Sequence, residues 1–333
     1  MAVSVIVSNL NGARFLPRLL VTLEGQQGVE LEIIVVDRES KDESAAILAK
    51  HPKVIVVSEP PLTGLVSGYH RGYKASTKEH LFFINEDMWF APDCLALLEG
   101  RIDLANRIGA TDPWQWTYDE KQWIHGVTRF RRVKWAINGT YPFRENEFNV
   151  DLPAGTRVPW PCAGAFLIHR KVYEEIGGWD TSFFLDNEDT EMFLRAWQRD
   201  WRCVAVPGAK VYHAVGMSNP GAAEAVKTPG KKKPGAGRRR YIANRAGKTI
   251  IAWKLFSPFA AVWMGFGMWF VMFGNNVCKL RWRYASWDLA ALWDCFRRLP
   301  AALEFRRKNR EFNRAHPGEK LFVEPEFNLP ASS

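Results

Sequence analysis

Four short apolar runs, Val3–Val7, Leu31–Val36, Val54–Ser58 and Leu81–Ile84, are separated by helix-length stretches at Ala13–Gly25, Glu43–Lys50 and Leu65–Ser76. No other feature of the chain constrains its fold as tightly. Apolar runs joined by connections long enough for a helix predict a parallel sheet buried on both faces, a doubly wound α/β domain. Ligands of such sheets bind beyond the carboxyl ends of the strands. The residues there are polar: Ser8, Asn9 and Asn11 after the first run, Asp37 through Asp42 after the second, and Asn85, Glu86 and Asp87 after the fourth. Asn11 and Asp42 fit an ordinary turn or capping role equally well. Asp37 and Asp87 follow directly on apolar strands and point to a polar crevice.

Charge separates the chain into two parts. Residues 1–226 carry 24 Lys and Arg against 29 Asp and Glu, a net −5, and residues 227–333 carry 21 against 7, a net +14, which together give the overall +9. Basicity confined to one end argues against a general nucleic-acid binder and for an anionic surface met by that end alone. A hydrophobic content of 47% with 13% aromatics excludes a disordered chain. The 5 cysteines form no C-x-x-C pair, which argues against a disulfide scaffold or a zinc knuckle. The first residues lead into a strand pattern without a basic leader, so a cytoplasmic location is expected.

Residues 109–161 are rich in Trp and Arg without a clean period and read as an irregular insertion with short strands. Beyond them, Ala165–His169 reads as a strand, Lys171–Ile176 as a helix stopped by Gly177-Gly178, and a second helix begins at Glu188. Cys203–Val206 and Lys210–His213 read as strands around a Pro207-Gly208 turn. The segment 216–240 is poor in aromatics and rich in Gly, Pro, Ala and Lys, which predicts a flexible basic loop. Leu255–Val277 then carries no charged residue, with Lys248, Lys254, Lys279, Arg281 and Arg283 flanking it and Trp253, Trp263, Trp269, Trp282 and Trp287 distributed through and around it. Such a segment suits a helical hairpin seated at a membrane interface, and the alternative is a buried soluble helix.

In order and spacing, these pieces resemble the family 2 glycosyltransferases, which have the GT-A fold, and among them the bacterial rhamnosyltransferase-like members. The resemblance covers residues 2 to about 245 and is carried by Val3–Gly12, by Glu32–Asp37 with Ser40 and Asp42, by Phe82–Asp87, by Gly177–Asp180 leading to Phe184–Asp189, and more weakly by Val206–His213. It implies a Rossmann-like, mostly parallel sheet flanked by helices, with a catalytic domain over 1–215, the basic loop over 216–240 and a membrane-associated helical extension over 241–333. Asp87 matches the last residue of the family's D-x-D-type motif and is the expected ligand of Mg or Mn, with Asn85 in place of the first Asp. His213 matches a position that assists the metal in some relatives, and it fits a structural hydrogen-bonding role as well. Asp37 matches the carboxylate that reads the base or ribose, and Ser8 and Asn9 would line the same pocket. His70 stands where the family usually has Asn. Glu86, Trp160 and Gly164 complete the donor-binding set.

Asp189 matches the catalytic base and Glu188 its neighbour; an acidic first helical turn favoured by the helix dipole is the plainer account of both. The implied activity is inverting transfer of a sugar, rhamnose or a related one, from a dTDP- or UDP-linked donor to a hydroxyl of a cell-surface polysaccharide or lipid-linked glycan precursor. It is expected at the cytoplasmic face of the inner membrane, on an anionic surface. Two alternatives stand beside it: a polyprenyl-phosphate sugar synthase, and an inactive membrane-bound subunit that binds nucleotide-sugar.

Overall fold

A computed structural model describes residues 2–60, 64–121, 126–129, 145–148, 153–161, 164–214, 237–255 and 258–315. The strands are β1 (Ala2–Asn9), β2 (Glu30–Asp37), β3 (Ile55–Ser58), β4 (His80–Asn85), β5 (Met88–Phe90), β6 (Ile108–Thr117), β7 (Gly126–Arg129), β8 (Glu145–Phe148), β9 (Arg157–Val158), β10 (Ala165–His169) and β11 (Arg202–His213). The helices are α1 (Leu16–Glu24), α2 (Ser44–Leu48), α3 (Leu65–Ala75), α4 (Cys94–Glu99), α5 (Arg170–Glu175), α6 (Glu188–Trp197), α7 (Arg238–Leu255), α8 (Pro258–Val262), α9 (Met268–Cys278) and α10 (Trp282–Ala315), with a π-helical turn at Trp263–Gly267 between α8 and α9.

Nine strands form one sheet in the order β3-β2-β1-β4-β10-β6-β11-β5, with β9 added on β11; β7 and β8 pair separately. The β3-β2-β1-β4 half is parallel, as the apolar runs predict. The remainder corrects the expectation of a mostly parallel sheet: β10 is antiparallel to both β4 and β6, β5 and β9 are antiparallel to β11, and only β6 and β11 run parallel. An apolar run carries no sign of its direction, and β10 is as apolar as the strands of the parallel half.

Two further expectations are corrected. The stretch read as an irregular insertion contains β6, a ten-residue interior strand. Its pattern is hard to see because Thr111, Asp112 and Gln115 are buried along with Trp114, so apolar and polar residues do not alternate with exposure. Pro207 and Gly208 reverse nothing: β11 is continuous from Arg202 to His213 and takes a register shift against β6 between Val206 and Lys210. A bulge is where a strand tolerates Pro and Gly.

Side chains of β1 alternate between two cores. Val3, Val5 and Val7 pack on one face with Leu16, Leu19, Leu20 and Leu23 of α1, whose spacing puts all four on one helical stripe. Ile6 packs on the other face, in the layer that holds Phe83, Phe166, Trp179 and Phe193. That second layer also contains Ile250, Ile251, Trp253 and Leu255 of α7. The end of α7 is therefore part of the sheet's own core.

The triple arginine Arg238–Arg240, expected in a loop, forms the first turn of α7; residues 216–236 of that expected loop lie outside the described residues. The uncharged run Leu255–Val277 breaks into the end of α7, α8, the π-helical turn and α9. Among the described residues, no helix is long and apolar enough to cross a membrane.

Candidate active site

The parallel strands β1, β2 and β4 deliver their polar ends side by side. Asn9 lies level with Asp37 and Ser8 with Asn85 in the sheet register. Asn9 Nδ2 donates to Asp37 Oδ1 at 2.7 Å, and the Ser40 hydroxyl donates to the same oxygen at 2.6 Å. The Ser40 amide reaches Asp37 Oδ2 at 3.1 Å, and the Asn11 amide donates to Ser40 Oγ at 2.9 Å. Asp37 thus ties the loops after β1 and β2 together, and Oδ2 retains acceptor capacity for a ligand hydroxyl or ring N–H.

Ser8 differs from its expected place in the pocket lining. Its hydroxyl is fully buried beneath α3, where a Cβ on Gly68 would come within 2.5 Å of Ser8 Oγ, so it supports the crevice from behind. His70 lies on α3 beside Tyr73, with ring centroids 6.3 Å apart, and burial lowers its pKa. Its Nδ1 is buried with no hydrogen-bond partner among the described residues. Trp160 is placed in the hydrophobic core rather than at the strand ends.

After β4 the chain makes a tight turn into β5 through Glu86 and Asp87. Asn85 Oδ1 accepts the Tyr69 hydroxyl at 2.8 Å, and the Asn85 backbone N–H donates to the Gly164 carbonyl at 2.9 Å. Gly164 has φ +107, and a Cβ there would meet Met88 Cε at 2.6 Å and Asn85 Nδ2 at 2.9 Å. Only glycine allows this approach without displacing Asn85. Asp87 is buried, and its Oδ1 lies 3.2 Å from His213 Nε2 at the end of β11. His213 Nδ1 lies 3.1 Å from Gln115 Oε1 of β6, which fixes the ring from its other side. Two residues more than a hundred positions apart are thereby brought together. Among the described residues, no group of three or more His, Cys, Asp or Glu side chains is arranged to hold a metal ion. Asp87 offers an oxygen and His213 a nitrogen to a cation that would take the rest of its shell from phosphates.

The second acidic group comes from the start of α6. Asp186 and Asn187 both adopt left-handed backbone, φ +69 and +68, just before Glu188. This unusual turn is held from outside by α7: Arg240 makes a two-pronged contact with Asp186, 2.9 Å from Nε and 2.8 Å from Nη2, and Asn187 Nδ2 reaches the Asn244 carbonyl at 3.3 Å. Arg239 stacks over Phe184, 3.7 Å from its ring centre, and Phe184 in turn receives the Leu65 amide of α3 through its carbonyl at 3.1 Å. Asp189 is half-buried and accepts the Thr190 amide at 2.6 Å.

Burial, and next the charge of Asp189, push the Glu188 carboxyl up to about 8. Burial and then Asp87 push Glu86 up to about 7. Tyr69, buried between these acids, feels Glu86, Glu188 and Asp87 together, and burial first and then their charge hold its hydroxyl protonated. The site carries an excess of carboxylates in low dielectric, the setting in which acid and base roles separate.

Tyr69, Arg38 and Arg240 belong to this environment and are absent from the residues expected from the sequence. Arg38, next to Asp37, lies in the field of Glu86 and has its pKa lowered chiefly by burial. Its adjacency to Asp37 was the available signal; Tyr69 is indistinguishable from a core aromatic on the inner face of α3.

The solved structure of S. aureus TarS 1-349 in complex with UDP-GlcNAc superposes with a TM-score of 0.57 at 14% identity, over 95% of this chain and 92% of that one. GalNAc-T7 with UDP, GalNAc and Mn2+ superposes with a TM-score of 0.50 at 18% identity, over 64% of this chain and 44% of that one. These likenesses define a GT-A-like fold. A curated relative, the uncharacterized protein MT1568 of Mycobacterium tuberculosis (strain CDC 1551 / Oshkosh), is 26% identical over 212 residues, which span 60% of this chain and 63% of that protein. The family model described as glycosyl transferase family 2 matches residues 4–177, just over half of the chain, and the chain belongs to that family.

Proposed function

We propose that this protein transfers a sugar, with inversion, from a uridine or thymidine diphosphate donor to an acceptor hydroxyl. The observation that carries the reading is the meeting of two acidic pairs, Glu86-Asp87 from the end of β4 and Glu188-Asp189 from the start of α6, around the buried Tyr69. One pair suits the diphosphate side of a glycosyl donor and the other the acceptor side. The nucleoside rests against Asp37 and Asn9, with Arg38 as a nearby cation. Asp87 and His213 are the residues that would hold a divalent cation, Mg or Mn, and such an ion would supply charge neutralisation for the diphosphate. Asp189 takes the proton of the attacking hydroxyl, and protonated Glu188 keeps a second negative charge away from it. Solved relatives of this fold were captured with UDP, UDP-GlcNAc or Mn2+, which supports this class of donor and ion.

Rhamnose or a related sugar as the transferred group, and a surface polysaccharide or lipid-linked glycan precursor as acceptor, complete the proposal. A polyprenyl-phosphate acceptor needs no base, and the Glu188-Asp189 pair speaks against that alternative. Exposed Trp263, Phe270, Trp282 and Trp293, in the same C-terminal helical region as Lys279, Arg281 and Arg283, support work at an anionic membrane surface on the inner face of the plasma membrane.

The test is a panel of nucleotide-sugars scored by calorimetry and by product formation, with Mn and with excess chelator. Donor binding and transfer are expected to need the ion and to fall at least tenfold in Asp87→Ala, the loss of one charge-assisted contact being worth roughly 1.5–3 kcal/mol. Full transfer in excess chelator would remove the cation from the reaction.

A further inference from the structure

Away from the acidic crevice, a cavity of ≈ 520 Å³ lies between the second half of α10 and the segment formed by the end of α7, α8 and the π-helical turn. Its character changes along α10. Leu299 and Leu303 face Trp253, Ala261 and Phe266 at one end, and Arg306, Arg310 and Arg314 follow at helical spacing toward the other. From Leu299 to Arg314 the helix advances about 22 Å at ~1.5 Å per residue. An apolar trough thus runs into a basic end.

Among the described residues, arginines outnumber carboxylates at the basic end. Arg307 is occupied by Glu304 and Glu311, at 2.9 and 2.8 Å. Glu311, the one carboxylate among the described residues lining the cavity, is thus already engaged. Arg310 and Arg314 have no acidic partner among the described residues. Arg306 donates to the Trp253 carbonyl at 2.9 Å, and its pKa is lowered by burial and then by Arg310. Like charges held together beside an apolar trough call for an anion with a hydrocarbon attached. The trough also opens onto apolar surface: Val262, Trp263 and Leu303 are 62%, 55% and 49% exposed.

We propose that this cavity binds an anionic membrane phospholipid, with its chain along Trp253, Phe266, Leu299 and Leu303 and its phosphate at Arg306, Arg310 and Arg314. The proposal rests on the membrane-surface reading above and adds to it a defined site. A volume of this size falls within the range of pockets for small ligands, and a chain buried there gains about 0.8 kcal/mol per methylene. The site lies apart from the crevice of Asp37, Asp87 and Asp189.

The experiment titrates the full-length protein with n-dodecyl phosphate below its micelle concentration, by calorimetry. Saturable one-to-one binding is expected. n-Dodecyl maltoside, with the same chain and no charge, and inorganic phosphate, with the charge and no chain, should each bind at least about tenfold more weakly, because each lacks one of the two contributions. Arg310→Ala/Arg314→Ala removes two exposed charges and should weaken dodecyl phosphate about tenfold or more with the melting temperature of the free protein unchanged. Leu303→Trp, which fills the trough without touching the charges, should abolish binding of the chain.

Equal affinity for the maltoside, full competition by inorganic phosphate, or unaltered binding in both variants would each overturn the site. Flotation with phosphatidylglycerol vesicles reports the membrane reading separately. Wild-type protein that fails to float while still binding dodecyl phosphate sinks the membrane reading and leaves the site; protein that floats normally but shows no saturable binding sinks the site alone.

Discussion

Replacing Lys254 with Met removes one charge from a buried four-residue network and tests whether α7 is bound into the core of the sheet. Lys254, only 3% exposed in its side chain, reaches Asp180 at 2.7 Å and also pairs with Glu191, which is fully buried. Glu191 is in turn clasped by Arg195, 2.7 Å from Nη2 to Oε2. Two cations balance two carboxylates. Without Lys254, Arg195 alone faces both acids, and breaking a buried pair in this way costs about 3–5 kcal/mol. At roughly 2.1 cal/mol/K per residue, 333 residues give an unfolding entropy near 0.7 kcal/mol/K, so the melting temperature should fall by about 4–7 °C.

Burial acts to raise the Asp180 carboxyl, but Lys254 outweighs it and brings the pKa down to about 2. A depressed folded pKa gives stability that is present above the ordinary carboxylate range and lost as pH falls through about 2, and this component should vanish in Lys254→Met. Lys254→Met/Asp180→Asn restores charge balance around Glu191 and Arg195 and should recover much of the loss, which a double-mutant cycle by calorimetry measures. A loss under about 1 kcal/mol for the single variant, the level of an exposed pair, would refute the argument that this network fastens α7 to the sheet.

Glu188 has a folded pKa raised to about 8, so its contribution to stability is full below the ordinary carboxylate pKa and is lost as pH rises through about 8. Glu188→Gln should flatten the melting-temperature profile between pH 5 and 9 in chelator and exceed wild type at the alkaline end, by on the order of 2–4 kcal/mol; parallel profiles would show that Glu188 is ionised throughout. Asp189→Asn keeps size and an acceptor oxygen but cannot receive a proton, so transfer should fall about a hundred- to ten-thousand-fold with the donor dissociation constant unchanged. Asp37→Ala should chiefly weaken donor binding, since it frees Asn9 and Ser40 as well as the ligand contact. Near-normal transfer by Asp189→Asn would mean that the base lies elsewhere.

The parallel half of the sheet is legible in the chain because each of its strands is a mainly apolar run closed by a polar residue; burial of β1 and β4 demands that pattern, while the edge strand β3 leaves Ile55 and Val56 exposed. The same logic placed Asp37 and Asp87 at the carboxyl ends of the strands, and the left-handed turn before Glu188 leaves an acidic helix start that the sequence displays directly. What the sequence could not supply is whatever depends on which strands become neighbours. The pairing of Asp87 with His213 follows from β5 lying against β11. The direction of β10 and the membership of β6 are settled by packing, where buried Thr111, Asp112 and Gln115 break the period that a reader of the chain relies on.

Charge misled for a related reason. Arg240 and Lys254 look like parts of a solvated or membrane-facing basic run, but the fold pairs Arg240 with Asp186 at the surface and turns Lys254 inward to Asp180 and Glu191, each partner more than fifty residues away in sequence. A residue's type fixes what it can pair with, and the tertiary structure alone decides which partner arrives. The same holds for the carboxyls of Glu86 and Glu188: their identity is in the chain, but their protonation comes from burial and neighbouring charge, which exist only once the sheet, α3 and α6 have closed around Tyr69.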